Sequence, residues 1–277
     1  MQIFAPAKVN LSLRILDRRP DGFHEIETFI TPISLSDELN IAKRSNGEGI
    51  KFQCADASIP LGEENLVIRA ARLFFEMTGS ESSLSIDLVK NIPHGAGLGG
   101  GSSDAAATLL ALNQLFDTKL PREALAKMGS IIGSDVPFFI FESAALCRGR
   151  GELVSPQKLR EGLTLVLFKP EFGVPTAWAY SRWHDSREIP DVVYGPQDFH
   201  GHRFLNDLER PVFEKFVFLA QLKSWLMKQP EVSVALMSGS GSTVFGVLNE
   251  HDVGDAVVDR ARKELDPKLW TCVCRTR

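Results

Sequence analysis

This chain predicts an α+β fold, on three observations. Its first strand-like segments follow one another with no helix between them. Strand-like and helix-like segments alternate after that, and neither an internal repeat nor a low-complexity tract interrupts the pattern. Alternation from residue 1 onward would instead have favoured a doubly wound parallel sheet. With 277 residues, 44% of them hydrophobic and 24% charged, the chain is long enough for a large core or two coupled lobes.

The elements follow in order. Ile3 to Ala5, Val9 to Ile15 and Asp37 to Ile41 alternate as strands do, with the turn Arg18-Arg-Pro-Asp-Gly22 between the second and third. From Leu66 to Met77, apolar residues at Leu66, Ala70, Leu73, Phe74 and Met77 recur at helical spacing, and Gly79 closes the segment. Leu84 to Val89 reads as a strand running into a glycine-rich loop. A helix to about Phe116 follows it, then one from Arg122 to about Ile132, both expected to be amphipathic. The second half predicts a strand at Leu163 to Phe168, a helix around Thr176 to Trp183, and a polar loop from Asp185 to about Arg203 that is the best linker candidate. After it come a helical stretch from Asn206 to Met227, strands at Ser233 to Met237 and Thr243 to Leu248, a helix from Asp252 to Leu265 and a final strand.

Composition excludes several functions. The formal net charge of −4 argues against a nucleic-acid backbone as partner, since that would want a concentrated basic face. No apolar run approaches the roughly 18 residues a membrane span needs, and Met1-Gln-Ile-Phe-Ala-Pro-Ala-Lys8 lacks the plan of a signal peptide, so a cytoplasmic protein is expected. Cys54, Cys147, Cys272 and Cys274 form no C-x-x-C pair and have no histidine spacing for zinc, which fits reduced, structural thiols.

The most informative stretch is Pro93-His-Gly-Ala-Gly-Leu-Gly-Gly-Gly-Ser-Ser-Asp104. Gly95, Gly97, Gly99, Gly100 and Gly101 let backbone N–H groups approach an anion closely. Ser102, Ser103 and Asp104 stand where helix N-caps stand, so the positive helix end faces a phosphate. A dinucleotide-binding turn fits poorly, because Asp117 falls at the end of the helix rather than after a second strand. A Walker A loop needs a lysine that is absent here, and no H-R-D or D-F-G triplet of a protein kinase occurs.

Two further residues suit phosphoryl transfer, which needs positioning, charge neutralisation and a group to take the hydroxyl proton. Asp135, in Gly133-Ser-Asp135-Val-Pro137, sits on a Gly/Pro-bounded turn that aims a side chain into a cleft. Lys8, in Ala5-Pro-Ala-Lys8-Val-Asn10, lies among small and apolar residues, where a lysine requires an anionic partner; Asp135 is the candidate. Asp135 then accepts the proton and Lys8 stabilises the alkoxide as it forms.

The proline-led loop ending in Gly-Gly-Gly-Ser-Ser-Asp resembles the phosphate loop of the galactokinase, homoserine kinase, mevalonate kinase and phosphomevalonate kinase (GHMP) superfamily. Pro6-Ala-Lys8-Val-Asn10-Leu, Arg19-Pro-Asp21-Gly-Phe23-His24, Glu64-Asn65-Leu66, Gly149-Arg-Gly-Glu152, Asn206-Asp-Leu-Glu209 and Met237-Ser-Gly-Ser-Gly-Ser242, in this order, resemble its branch acting on 4-diphosphocytidyl-2-C-methyl-D-erythritol. The resemblance implies a two-lobed fold, with an N-terminal lobe of ribosomal S5 domain 2-like topology over residues 1–152 and an α/β-plait-like lobe over 153–277. It also implies ATP-dependent phosphorylation of the substrate's 2-hydroxyl in the non-mevalonate isoprenoid pathway.

Lys8 and Asp135 are the implied catalytic pair. ATP would lie on Pro93, Gly95, Gly97, Leu98, Gly99, Gly100, Gly101, Ser102 and Ser103, with Asn65 and Leu66 at the adenine. Asn10 would lie near the acceptor, Phe23 and His24 against the cytosine, and Tyr180, with Thr176 before it, would supply the second face. The branch usually carries tyrosine where Phe23 stands, so stacking survives and a hydroxyl contact is lost. Mg²⁺ is expected as counter-charge for the phosphates, and no carboxylate cluster marks its site; the Ser103 hydroxyl is the candidate near it. The rival readings are another member of the superfamily and a catalytically silent nucleotide-binding relative. Phe23, His24 and Tyr180 oppose the first, and the Lys8 and Asp135 pair opposes the second.

Overall fold

A computed structural model describes residues 1–45, 49–80, 83–250 and 252–277. The opening strands are longer than the alternating segments predicted. β1 (Gln2–Arg18) and β2 (His24–Arg44) pair antiparallel from Gln2 opposite Asn40 to Arg18 opposite His24. Register shifts at Pro6/Lys8, Asn10/Ser12 and Ile15/Asp17 explain why the sequence looks broken there, since an irregular residue resets which side chains face which side.

Around this hairpin the first sheet, eight-stranded in all, is extended by β3 (Ile50–Cys54), β4 (Ser83–Val89), β5 (Ala145–Gly149) and β6 (Leu153–Pro156). Helices α1 (Leu66–Thr78), α2 (Gly100–Leu115), α3 (Arg122–Ile132) and α4 (Val136–Phe141) pack together on it. α1 ends as expected, with Gly79 at φ 65° and its N–H donating to the Phe75 carbonyl. α2 departs from expectation. It is buried almost all round, from Ser103 through Leu109 and again at Ala111 and Leu112, because its alanines let neighbouring helices approach from several sides. α3 is amphipathic as predicted, burying Leu125, Met128 and Ile132.

The second half corrects two expectations. The polar stretch after Asp185 is not a linker throughout: β8 (Gln197–Phe199) and β9 (His202–Asn206) form a hairpin, and β9 runs parallel to β1 through Ser12 opposite Leu205 and Leu13 opposite Asn206. Two strands this short carry too little alternation to stand out, although the fully buried Phe204 anchors them. The predicted helix from Asn206 is also two helices, α6 (Glu209–Lys215) and α7 (Val217–Leu226), broken at Phe216, while Asn206 itself ends β9. The remaining elements are β7 (Thr164–Lys169), α5 (Thr176–Arg182), β10 (Val232–Met237), β11 (Val244–Leu248), α8 (Gly254–Glu264) and β12 (Trp270–Arg275). The second sheet has the order β10-β11-β7-β12.

An apolar cluster joins the two sheets: Ala7, Val9 and Leu11 of β1 pack with Leu165, Leu167, Leu236, Phe245 and Val247 of the second sheet. By strand alternation the intervening Lys8 and Asn10 must face the other way, toward the cleft they help to line. Burial of odd residues between the sheets is therefore what aims the even ones at the site. Among the described residues no helix is long and apolar enough to cross a membrane.

Candidate active site

A cleft of about 1200 Å³ runs along the first lobe and reaches α5 and the 238–241 turn of the second. Its glycine-rich wall follows from backbone geometry. Gly99 caps α2 at φ 71°, and a Cβ there would lie 2.8 Å from Phe139 and 3.0 Å from the Lys8 Cγ. At Gly97, φ 74°, a Cβ would lie 2.3 Å from the Ser238 carbonyl oxygen, so the loop of one lobe is seated against the turn of the other. The N-cap expectation is thereby corrected. Gly99 is the cap, α2 begins at Gly100, Ser102 and Ser103 lie in its first turn with Asp104 just beyond, and no side-chain cap is made.

The start of α2 is held from below. Asp104 Oδ2 accepts from Lys90 Nζ at 2.9 Å; Lys90 also pairs with Asp37, whose other oxygen accepts the Asn91 and Ile92 N–H groups at 2.6 and 2.8 Å. All three charged groups are buried. Burial, partly offset by Lys90, pushes the Asp104 carboxyl up to about 7, and its Oδ1 has no partner. Sequence reasoning missed Lys90, although it stands only three residues before Pro93.

Lys8 is 4% exposed. Its backbone N–H donates to the Leu98 carbonyl at 3.0 Å, which ties the lysine to the glycine loop. Its Nζ donates to Asn10 Oδ1 at 2.5 Å and lies 3.9 Å from Asp135 Oδ2. The Asn10 amide has one allowed orientation. The Thr28 hydroxyl donates to the Ser12 carbonyl at 2.6 Å, so its oxygen is left to accept from Asn10 Nδ2 at 2.9 Å, and the Asn10 oxygen must then face Lys8. Burial lowers the Lys8 pKa, and Asp135 opposes that shift. Asp135 precedes α4 and stays open to solvent, its side chain 38% exposed. Cys147 is fully buried, and burial first, then Asp135, raises its thiol to about 12, so it is a neutral thiol and no nucleophile.

The predicted aromatic residues gather at the far end. His24 stacks on Tyr180 with centroids 5.5 Å apart and planes at 28°, and meets Trp183 edge-on at 6.2 Å. Burial, then Arg18, keeps the His24 pKa below the ordinary imidazole value, which favours a neutral ring with one donor and one acceptor. Phe23 is half exposed, and the Arg150 guanidinium covers one face at 4.7 Å from the ring centroid. Arg150 was missed as a site residue, although its motif Gly149-Arg-Gly-Glu152 stands out in the sequence. Thr176 Oγ1 lies 2.8 Å from Ser240 Oγ, joining α5 to the 238–241 turn.

Of the expected nucleotide residues, Asn65, Leu66, Pro93, Gly95, Gly97, Leu98, Gly99, Gly100, Gly101 and Ser102 line the cleft. Asn65 is already engaged: its Oδ1 accepts from Val67 N at 2.8 Å as the α1 cap, and its Nδ2 donates to the Pro60 carbonyl at 2.7 Å. Ser103 is not among the lining residues; its hydroxyl is buried without a partner. Among the described residues no group of three His, Cys, Asp or Glu side chains is arranged to hold a metal ion.

Known proteins resemble this chain over nearly its whole length. The family model "GHMP kinases N terminal domain" matches residues 65–143, and "GHMP kinases C terminal" matches 198–266. The chain is 40% identical over 274 residues to 4-diphosphocytidyl-2-C-methyl-D-erythritol kinase of Methylacidiphilum infernorum, covering 96% of this chain and 93% of that one. It is 38% identical to the same enzyme of Geotalea daltonii, over 95% and 94%. A crystal structure of 4-(cytidine 5'-diphospho)-2C-methyl-D-erythritol kinase superposes at a TM-score of 0.80 with 36% identity, covering 100% of this chain and 99% of that chain. Homoserine kinase from Cytophaga hutchinsonii shares the fold, at a TM-score of 0.71 and 17% identity over 100% and 94%.

Proposed function

We propose, because this chain belongs to the 4-diphosphocytidyl-2-C-methyl-D-erythritol kinase family of the GHMP kinases, that it transfers the γ-phosphate of ATP to the 2-hydroxyl of that cytidyl substrate through Lys8 and Asp135. It is a small-molecule kinase of isoprenoid precursor synthesis and uses ATP. The observation that carries the mechanism is the 3.9 Å separation of Lys8 Nζ and Asp135 Oδ2 beside the glycine loop. That gap exceeds a hydrogen bond of about 2.7–3.2 Å and leaves room for a hydroxyl oxygen to reach both groups. Asp135 accepts the hydroxyl proton as the new P–O bond forms, and Lys8, its ammonium aligned by Asn10, neutralises charge on the attacking oxygen.

In this reading, the glycine loop and the start of α2 hold the triphosphate with N–H groups and the helix dipole. Leu66 and the capping Asn65 border the adenine. A divalent cation such as Mg²⁺ would supply counter-charge to the β- and γ-phosphates, whose oxygens would provide most of its ligands; Ser102, rather than the enclosed Ser103, is the cleft-lining hydroxyl near them. The cytosine stacks on the Phe23 face opposite Arg150. His24 addresses its edge, since His24 and Tyr180 at 5.5 Å are too close to admit a ring between them. Residues 1–152 thus hold ATP and the catalytic pair, and 153–277 supply Thr176, Tyr180 and the 237–242 turn on the substrate side.

An ADP-release assay with ATP, Mg²⁺ and 4-diphosphocytidyl-2-C-methyl-D-erythritol, run beside homoserine, mevalonate and galactose, tests the reading. Release with the cytidyl substrate alone is expected. Release with another of the four instead would keep the catalytic pair and discard the cytosine pocket.

A further inference from the structure

The motif Asn206-Asp-Leu-Glu209 stands out in the sequence, yet none of its residues is needed in the mechanism above. Asn206 is 3% exposed at the end of β9, and its Nδ2 donates to two carbonyls of the 237–242 turn, Met237 O and Gly239 O, both at 2.7 Å. Its Oδ1 accepts from Leu208 N at 2.9 Å, so the amide cannot turn over without losing all three bonds. Glu209, fully buried, accepts the Met237 N–H at 2.8 Å and pairs with Lys223 at 2.6 Å, itself buried. One short segment thus grips the turn by a donor to two of its carbonyls and an acceptor from one of its amides.

What the turn touches gives the grip its consequence. Gly239 lies so close to the catalytic side chains that a Cβ there would be 3.2 Å from Lys8 Nζ and 3.3 Å from Asn10 Oδ1. The Ser238 hydroxyl donates to the Gly97 carbonyl at 3.0 Å, and Thr243 N donates to the Ala96 carbonyl at 3.2 Å, so the same turn also buttresses the glycine loop. We propose that Asn206, backed by the buried Glu209–Lys223 pair, is a positioning residue for phosphoryl transfer: it holds the 237–242 turn where the turn fixes Lys8 relative to the phosphate loop. The inference rests on the reading of Lys8 and Asp135 given above. A misplacement of about 1 Å at such a site can cost roughly 10²-fold in rate, so a distant clamp can matter as much as a contact.

The test compares Asn206→Ala with Asp207→Ala. Asp207 is the adjacent residue; it accepts from Ile15 N at 2.8 Å and has no hydrogen bond to the turn, so it controls for general destabilisation. Turnover is measured per ATP-binding site, counted by nucleotide titration, well below each variant's Tm. Asn206→Ala is expected to lower kcat at least ~10-fold with the KM for ATP changed less than ~3-fold, while Asp207→Ala lowers Tm and leaves kcat within ~2-fold. The alkaline limb of the kcat–pH profile of Asn206→Ala should also move upward, because a loosened turn admits water to Lys8 and relieves the burial that lowers its pKa.

An unchanged kcat and pH limb in folded Asn206→Ala, or equal losses in both variants, would overturn the proposal. Should Asn206→Ala not fold, Ser238→Ala, which removes the tie to Gly97, carries the test: a several-fold loss of kcat supports the proposal, and unchanged kcat sinks it. Asp135→Asn run alongside separates the two readings. If Asp135→Asn is inactive and Asn206→Ala is normal, only the positioning role fails; if Asp135→Asn is fully active, the reading beneath it fails.

Discussion

Lys8 Nζ stands 3.9 Å from Asp135 Oδ2, one side chain almost fully buried and the other open to the cleft. The asymmetry suits the proposed division of work, with the enclosed lysine as the positive charge and the open carboxylate meeting the acceptor. Asp135→Asn is accordingly expected to cut kcat at least ~10²-fold through loss of the proton acceptor, with the Kd for ATP nearly unchanged. Because Asp135 raises the Lys8 pKa and burial lowers it, the residual activity of the variant should fall off at lower pH than wild type on the alkaline side. Steady-state kinetics across pH 6–10, together with ATP titration, check both; undiminished turnover would remove Asp135 from the mechanism.

Phe23 lines the cleft half exposed, and the Arg150 guanidinium covers one face of its ring. Phe23→Ala should raise the KM for the cytidyl substrate roughly 5- to 150-fold, the equivalent of about 1–3 kcal/mol of lost base stacking, and leave the KM for ATP within ~2-fold. Equal effects on the two substrates would move Phe23 out of the acceptor site.

Asp104 gives stability a pH dependence. Its folded carboxyl is raised to about 7, above the ordinary 3.8, so the folded state binds more protons than the unfolded state between those values. Stability from this group is then present at low pH and lost as pH rises toward 7. Asp104→Asn keeps an acceptor for Lys90 and removes the titration. The Tm of the variant minus that of wild type should therefore grow more positive from pH 5 to pH 8 in thermal melts. A difference that is flat with pH would show that the carboxyl does not titrate in this window.

Gly97→Ala is expected to damage nucleotide binding. A side chain at φ 74° costs about 1–2 kcal/mol, roughly 5- to 30-fold in an equilibrium, before its collision with the Ser238 carbonyl 2.3 Å away is counted. ATP titration by calorimetry should show affinity weakened by at least that range. Wild-type affinity would mean that the loop and the turn separate at little cost.

Much of the site was legible because its chemistry needs particular residue types close together in sequence. The glycine loop, Lys8 with Asn10, and Phe23 with His24 are local groups whose spacing survives without any fold. α1, α3 and β11 were legible for a related reason: each is long enough, or bounded clearly enough, for its periodicity to show. β8 and β9 were not, since three and five residues cannot establish a period, and their place beside β1 depends on a partner almost 200 positions away. The α2 cap was misread because serine and aspartate are ordinary caps, whereas here the positive φ of Gly99 and the buried Lys90 decide where the helix begins.

The sequence by itself determined the class of fold and singled out the glycine loop and the two groups proposed to meet at the acceptor. These follow from local propensity, from glycine's freedom and from the scarcity of reasons to set a lysine among alanines. Only the tertiary structure decided how those groups are held: which way the Asn10 amide faces, that Asp37 and Lys90 underpin the glycine loop, and that Asn206 clamps the turn beside Lys8. Such arrangements depend on hydrogen-bond directions between segments far apart in the chain, and direction is a property that a residue acquires only when its neighbours in space are fixed.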